Sequence, residues 1–176
     1  MQDALDAGSV NIDTYMDIVF CIDLTESMKP TIDKVKNLTM SLYDDLIYFM
    51  SKVYHRESKR FRVKVIGFRD FYCDCKYAHA LEGSDFFKLP EQNQDFKNFV
   101  SSLEAKGGDD SENSLDALMI AMKTDWVKIS NINTQRARYV TVLFTNKAEH
   151  KFKESETNTD TNYPKGALKE LLLAWN

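Results

Sequence analysis

A short apolar run that ends in oxygen-bearing side chains constrains this chain more than any other feature. Residues 18–22, Ile-Val-Phe-Cys-Ile, are too few for a free-standing helix and are typical of a strand buried on both faces. Asp23, Thr25 and Ser27 follow at alternate positions. Open α/β sheets bind ligands at the carboxyl ends of their strands, and carboxylate and hydroxyl oxygens suit Mg²⁺, Ca²⁺ or Mn²⁺. The stretch therefore predicts a site for one hard cation.

The composition favours one soluble globular domain. The chain has 176 residues, of which 43% are hydrophobic and 28% charged, enough for a sizeable core. A net charge of −4 argues against general nucleic-acid binding. No apolar run approaches the ~20 residues that cross a bilayer, and no signal peptide is visible, so we expect a cytoplasmic location. Cys73 and Cys75 are too close for an easy bridge, which predicts reduced thiols.

Helical and extended patterns alternate along the chain, after a polar lead-in over residues 1–14. The domain is predicted to cover residues 15–176. Apolar residues at three- and four-residue steps predict helices over 32–53, with Pro30 at the start, 94–103, 115–122 and 163–175. Further strands are predicted over 61–68 and 139–144, with an edge ribbon or hairpin over 73–89 that turns near Gly83-Ser84. This order predicts an α/β fold, with a mostly parallel, doubly wound sheet flanked by helices.

Two further loops carry side-chain oxygens. Residues 107–113 read Gly-Gly-Asp-Asp-Ser-Glu-Asn and precede a predicted helix, and Thr145-Asn146 follows the strand predicted over 139–144. A doubly wound sheet brings such loops to one edge. Coordination by oxygen alone needs several ligands at ~2.0–2.6 Å from loops distant in sequence. The sequence therefore predicts one site built from three loops.

Each of these groups also has a purely structural interpretation. Asp23, Thr25 and Ser27 are residue types that cap helices. Asp109 and Glu112 fit a capping box, in which the glutamate reaches back to the backbone. Asn146 fits a turn.

The motifs resemble those of von Willebrand factor A (VWA) domains, and the similarity covers nearly the whole chain. Asp23-Leu24-Thr25-Glu26-Ser27 resembles the D-x-[ST]-x-S motif of the metal-ion-dependent adhesion site. Residues 65–70, Val-Ile-Gly-Phe-Arg-Asp, look like the second strand of bacterial-type members. Residues 107–112 are similar to their G-G-D-x-x-E loop, and Phe144-Thr145-Asn146 to their strand-ending T-D. The resemblance implies a Rossmann-like VWA fold.

The resemblance also implies a function. Asp23, Thr25 and Ser27 would hold Mg²⁺, or Mn²⁺ or Ca²⁺, through side-chain oxygens or water. The second loop would contribute Asp109 or a near neighbour, and the third loop Asn146. The family leaves one coordination position for an Asp or Glu of a partner protein, so the chain is expected to bind rather than catalyse, with neither nucleic acid nor membrane as partner.

Two features depart from the family pattern. Asn146 stands where the family often has Asp, which removes a charge from the site. Family sheets also continue with further strands and a terminal helix after the region that matches residues 163–175. We therefore expect a fragment or a shortened variant that lacks the last strands.

An enzymatic alternative starts from the same aspartate. Residues 23–27 also resemble the D-K-T-G-T motif of haloacid dehalogenase-type phosphotransferases, in which Asp23 would be the nucleophile and magnesium would hold the phosphate. In that family the acidic pair follows the strand-ending Thr, whereas Asp109-Asp110 precedes Thr145. Glu26 replaces the loop glycine and would repel a phosphoryl group. A metal-free scaffold domain is the third possibility.

Overall fold

The computed structural model describes residues 12–52, 58–69, 81–107, 111–112, 114–146 and 148–149. Its strands are β1 (Asp13–Asp23), β2 (Ser58–Phe68), β3 (Leu81–Gly83), β4 (Phe87–Leu89), β5 (Ser111–Glu112), β6 (Gln135–Phe144) and β7 (Ala148–Glu149). Its helices are α1 (Ile32–Lys52), α2 (Asn93–Ser102) and α3 (Ser114–Met122). A 3-10 turn, Glu26–Met28, lies between β1 and α1.

The main sheet is mixed and its longest strands are parallel. The described strands have the order β3-β2-β1-β6, and β4 also pairs with β2. β1 runs parallel to both β2 and β6, whereas β3 and β4 run antiparallel to β2 along its outer edge. The predicted α/β class, with a mostly parallel sheet flanked by helices, is confirmed.

The central strand β1 is buried on both faces, as its apolar run predicts. Ile18, Phe20 and Ile22 belong to one core cluster, and Val19 and Cys21 belong to another on the opposite face. This alternation follows from the two-residue period of a strand. Each fully buried apolar side chain contributes about 1.5–3 kcal/mol by the area rule, so β1 anchors both cores.

Helices cover both faces of the sheet. α1 and α2 pack on the first face, where Val35, Phe96 and Val100 join the larger core cluster. α3 packs on the second face through Ala117 and Ala121, whose small side chains join the cluster of Val19 and Cys21. Among the described helices, none is long and apolar enough to cross a membrane.

The structure differs from the sequence predictions at several boundaries. β1 begins at Asp13 and β6 at Gln135, both before their apolar runs, because the two strands already pair from these residues onward. α1 begins at Ile32 rather than at Pro30, which lies in the turn after the 3-10 segment. The predicted helix over 163–175 lies outside the described residues.

Of the edge ribbon predicted over 73–89, residues 73–80 lie outside the described residues, and residues 81–89 lie along β2 without the expected turn. β3 pairs with residues Ile66–Phe68 of β2, and β4 pairs with residues Phe61–Val63, so the chain runs along one edge of β2 in a single direction. Ser84 fills the gap between them, since its backbone N–H donates to Val65 O at 2.9 Å and its Oγ accepts from Val65 N at 3.0 Å. The turn expected near Gly83-Ser84 is therefore wrong.

Candidate metal centre

The candidate site lies where β1 ends. Asp23 is the last residue of β1 and is fully buried, Thr25 is 1% exposed, and Ser27 is half-buried. The backbone N–H of Leu24 donates to Phe68 O at 2.8 Å, so the chain stays beside β2 for one residue more before it turns. Thr25 is extended and the 3-10 turn follows it. This local fold directs the three oxygen-bearing side chains to one cluster.

Hydrogen bonds join this loop to the residues that follow β6. Asp23 Oδ1 accepts from the backbone N–H of Thr25 at 2.9 Å and from its Oγ1 at 2.7 Å. Asp23 Oδ2 accepts from Thr145 Oγ1 at 3.1 Å. Ser27 Oγ donates to Asn146 Oδ1 at 2.9 Å, and Asn146 Nδ2 donates to Ser27 O at 3.1 Å. Residues far apart in the sequence therefore form one polar cluster.

The structure thus brings together most of the residues predicted to hold the cation. Asp23, Thr25, Ser27 and Asn146 lie in the cluster. Asp109, the second-loop candidate, lies outside the described residues. Thr145 is a member that was predicted only as part of a polar strand end. A hydroxyl directly after the strand beside β1 is the signal that could have indicated its bond to Asp23.

Two hydroxyl groups of the cluster have hydrogen-bond acceptors among its other members. A carboxylate can only accept, so the proton of Thr25 Oγ1 is directed at Asp23. The proton of Ser27 Oγ is directed at the carbonyl oxygen of Asn146, whose amide nitrogen is fixed by its bond to Ser27 O. Thr25 Oγ1 and Ser27 Oγ nevertheless lie 3.1 Å apart. This contact places two hydroxyl oxygens side by side, and hydroxyl oxygens can donate lone pairs to a cation.

The separations of these oxygens also suit a small cation. Two adjacent ligands of an octahedral Mg²⁺, each at 2.0–2.1 Å from the ion, lie about 2.9 Å from each other. The contact from Thr25 Oγ1 to Ser27 Oγ is 3.1 Å, and that from Ser27 Oγ to Asn146 Oδ1 is 2.9 Å. The donor set is entirely oxygen, which hard cations prefer. The residues present therefore fit a Mg²⁺-type ion.

The three loops are held to one another in pairs. The first and second loops meet through two backbone bonds, from Lys106 N to Leu24 O at 2.8 Å and from Glu26 N to Gly107 O at 2.7 Å. Gly107 has φ 75°, a left-handed conformation that favours glycine. The short parallel strands β5 and β7 join the second loop to the segment after β6. The first and third loops meet through Ser27.

A glycine in β2 supports the first loop from behind. A Cβ atom on Gly67 would lie 2.4 Å from Leu24 Cδ1 and 3.4 Å from Glu82 O. Leu24 is fully buried, so its side chain occupies the space that a larger residue at position 67 would take. The glycine therefore allows the Leu24 side chain to pack directly against β2. The backbone carbonyl of Leu24 meanwhile accepts the bond from Lys106 that joins the first and second loops.

Among the described residues, two pairs of opposite charges lie near the cluster. Glu26 forms an exposed ion pair with Lys29 at 2.7 Å, and the hydrogen bond and charge of Lys29 lower the pKa of Glu26. Glu104 lies 3.6 Å from Lys106. Among the described residues, no three Asp, Glu, His or Cys side chains form a metal-binding group. Within that part of the chain, Asp23 supplies the charge of the cluster and neutral oxygens supply the rest.

Comparisons with known proteins identify no family. No protein-family model matches the chain, and no curated protein does. Among solved structures, the chain is similar to the pilus adhesin SpaC from Lactobacillus rhamnosus GG in its open conformation, with 16% identity over 64% of this chain and 13% of that chain and a TM-score of 0.46. A second form of SpaC gives 17% identity, coverages of 77% and 16%, and a TM-score of 0.45. The chain spans less than a fifth of the adhesin's length.

Proposed function

We propose that this chain is a VWA-type interaction domain. It binds Mg²⁺, or Mn²⁺ or Ca²⁺, at the end of β1, and through that ion it binds an aspartate or glutamate side chain of a partner protein. The motif resemblance, the α/β fold and the clustered oxygens all support this proposal. The observation that carries it is the cluster of side-chain oxygens at the end of β1, in which Thr25 Oγ1 lies 2.7 Å from Asp23 Oδ1 and 3.1 Å from Ser27 Oγ, and Ser27 Oγ lies 2.9 Å from Asn146 Oδ1.

Each residue of the cluster has a distinct role in this proposal. Asp23 supplies the negative charge that attracts the ion, while Thr25 and Ser27 supply neutral oxygens. Asn146 contributes a neutral amide oxygen, and the resemblance assigns Asp109 or a near neighbour to the same ion. When bound, the ion supplies an electrophilic position for a carboxylate. Few charged ligands leave that electrophilicity largely intact, which favours an acidic group of a partner.

The geometry favours binding over phosphoryl chemistry. A nucleophilic aspartate must present one carboxylate oxygen to its substrate. Asp23 is fully buried, and both of its oxygens accept hydrogen bonds, one from Thr25 and one from Thr145. These bonds hold the carboxylate in place as a charge but leave it poorly placed for attack. A metal-free scaffold would use the same bonds for stability alone, and a titration separates these possibilities.

The test is calorimetric titration of Mn²⁺ and Mg²⁺ into the chain and two variants. Asp23→Asn keeps the shape of the side chain but removes its charge, and we expect at least a tenfold loss of affinity. Glu26→Gln removes the same charge from the same loop, but this side chain is exposed and paired with Lys29. Screening by water should keep its effect within about twofold. Equal losses of metal affinity in both variants would mean that the ion is attracted by the overall negative charge of the loop and not by a specific site at Asp23.

The same samples test the alternatives and the open coordination position. Hydrolysis of p-nitrophenyl phosphate that disappears in Asp23→Asn would move the enzymatic interpretation to the front. If the unaltered chain does not bind Mn²⁺ at millimolar concentration, the metal-free scaffold domain would be the remaining interpretation. Bound Mn²⁺ with an open position keeps a water ligand and enhances water-proton relaxation. We expect a short peptide with one glutamate to reduce that enhancement, and the same peptide with glutamine to leave it unchanged.

A further inference from the structure

A buried arginine lies at the same edge of the sheet as the candidate metal centre. Arg69 directly follows β2 and is 2% exposed. Its Nη1 lies 2.6 Å from Glu82 Oε1, on β3. Its Nη2 donates to the backbone carbonyl of Glu104 at 2.7 Å. One guanidinium therefore links the edge of the sheet to the segment that leads into the second loop.

Burying the Arg69 guanidinium costs desolvation free energy, which its hydrogen bonds and ion pair must offset. Charged side chains are almost never fully buried unless they are paired, because desolvation opposes their burial. The guanidinium is a rigid planar fork that can hold two acceptors at fixed positions, which the single ammonium of lysine cannot do. Arg69 uses this property, since one arm binds the Glu82 carboxylate and the other binds a main-chain carbonyl.

The contacts of Arg69 close a ring that includes the first loop. Glu104 lies two residues before Lys106, whose backbone N–H donates to Leu24 O at 2.8 Å. Leu24 N in turn donates to Phe68 O at 2.8 Å, and Phe68 is the neighbour of Arg69 in the chain. The arginine thus fixes where the segment after α2 passes the end of β1.

We propose that Arg69 is a positioning residue for the metal centre. It holds residues 104–107 against the first loop, so that Glu26 N meets Gly107 O and the second loop begins at a fixed place beside the first loop. The motif resemblance assigns the second loop, which begins at Gly107, to the same ion. The significance of the role rests on the proposed metal-dependent function.

The same strand offers a matched control. Arg62 lies in β2 and is also buried, with Asp17 Oδ2 2.5 Å from its Nη2. Its second acceptor is the backbone carbonyl of Asp125, at 3.0 Å, far in sequence from residues 104–107. Arg69→Lys and Arg62→Lys therefore make the same chemical change to two buried ion pairs, and only the first one touches the segment that enters the site.

The experiment combines Mn²⁺ titration with amide hydrogen exchange in the full chain. Both variants should lower the midpoint of thermal unfolding. We expect Arg69→Lys to weaken Mn²⁺ binding about tenfold, the size typical for a residue that orients a metal ligand, and Arg62→Lys to leave it unchanged. In metal-free samples, the backbone amides of Glu26 and Lys106 should exchange faster in Arg69→Lys but not in Arg62→Lys.

The outcomes separate this proposal from the proposed function. Unchanged Mn²⁺ affinity in Arg69→Lys, or exchange of both amides at the original rates, would overturn the positioning role. No Mn²⁺ binding by the unaltered chain would overturn the metal-dependent function, while the exchange data would still decide whether Arg69 holds the segment. If Arg69→Lys does not fold, Glu82→Gln removes the charge that orients the guanidinium and should shift both measurements in the same direction.

Discussion

Replacing Asn146 by aspartate should have opposite effects with and without a cation. The change exchanges one NH₂ group for oxygen and keeps the shape of the side chain. Without metal it removes the bond from Nδ2 to Ser27 O, which costs about 0.5–1.5 kcal/mol. It also adds a second carboxylate to the cluster that holds Asp23. Two unit charges roughly 5 Å apart in water repel by about 0.8 kcal/mol, so the metal-free protein should lose about 1.3–2.3 kcal/mol of stability.

With a divalent ion present the sign reverses. Asn146 is exposed, so the dielectric constant of water is the appropriate one. A unit negative charge about 4 Å from a doubly charged ion then gains about 2 kcal/mol. That gain corresponds to roughly thirtyfold tighter binding. Asn146→Asp should therefore be less stable than the unaltered chain in EDTA but bind Mn²⁺ more tightly.

The assay is Mn²⁺ calorimetry together with thermal unfolding in EDTA and in millimolar Mg²⁺. Asn98→Asp is the matched control, because Asn98 is exposed on α2 and its Oδ1 accepts from Gln94 Nε2 at 2.9 Å, a bond that aspartate can keep. It makes the same charge change away from the cluster. Mn²⁺ binding by Asn146→Asp that is no tighter than by Asn98→Asp, or a loss of stability that Mg²⁺ does not reduce, would refute a direct interaction between position 146 and the ion.

Two further predictions concern buried groups away from the metal centre. Asp17→Asn should destabilise the fold by about 3–5 kcal/mol in urea unfolding, because Arg62 is left as a buried charge without its partner, while Mn²⁺ affinity stays the same. Burial raises the pKa of the Cys21 thiol from 9.0 to about 12, so native protein with its other two cysteines replaced by serine should resist iodoacetamide at pH 8 and react once unfolded. Because the folded state holds that proton more tightly, stability should be unaffected below pH 9 and fall between pH 9 and 12 more steeply than in Cys21→Ala. Rapid alkylation of the native thiol, or equal slopes, would contradict the burial argument.

The sequence predicts the strands of this fold best where their buried side chains are apolar. The run from Ile18 to Ile22 indicates a strand buried on both faces, and β1 has that environment. The beginning of β1 could not be predicted, because its polar residues are satisfied by distant partners. Asp17 pairs with Arg62 and accepts from the backbone N–H of Val127, and neither partner is recognisable from local sequence. Tertiary pairing, rather than local propensity, decides that boundary.

The sequence predicts which residue types form the candidate site. It does not predict the contacts that hold those residues in place. Oxygen-bearing residues at strand ends indicate that Asp23 and Asn146 meet at one edge of the sheet. The bond from Thr145 to Asp23 depends on the register between β1 and β6, which no local pattern specifies. The roles of Gly67 and Arg69 depend on a close approach and on a carbonyl far along the chain. The strands β5 and β7 are too short to give any periodic signal.

The first and second loops are joined through their backbones, and this makes the rim suitable for engineering. The bonds from Lys106 N to Leu24 O and from Glu26 N to Gly107 O do not involve side chains, whereas the side chains of Glu26 and Lys106 extend into water as members of exposed ion pairs. Exposed pairs of this kind contribute little to stability. Libraries of substitutions at positions 26, 29, 104 and 106 would therefore vary the surface offered to a partner while the oxygen cradle beneath keeps its shape. Affinity for the ion and choice of partner would then be independently selectable properties of one scaffold.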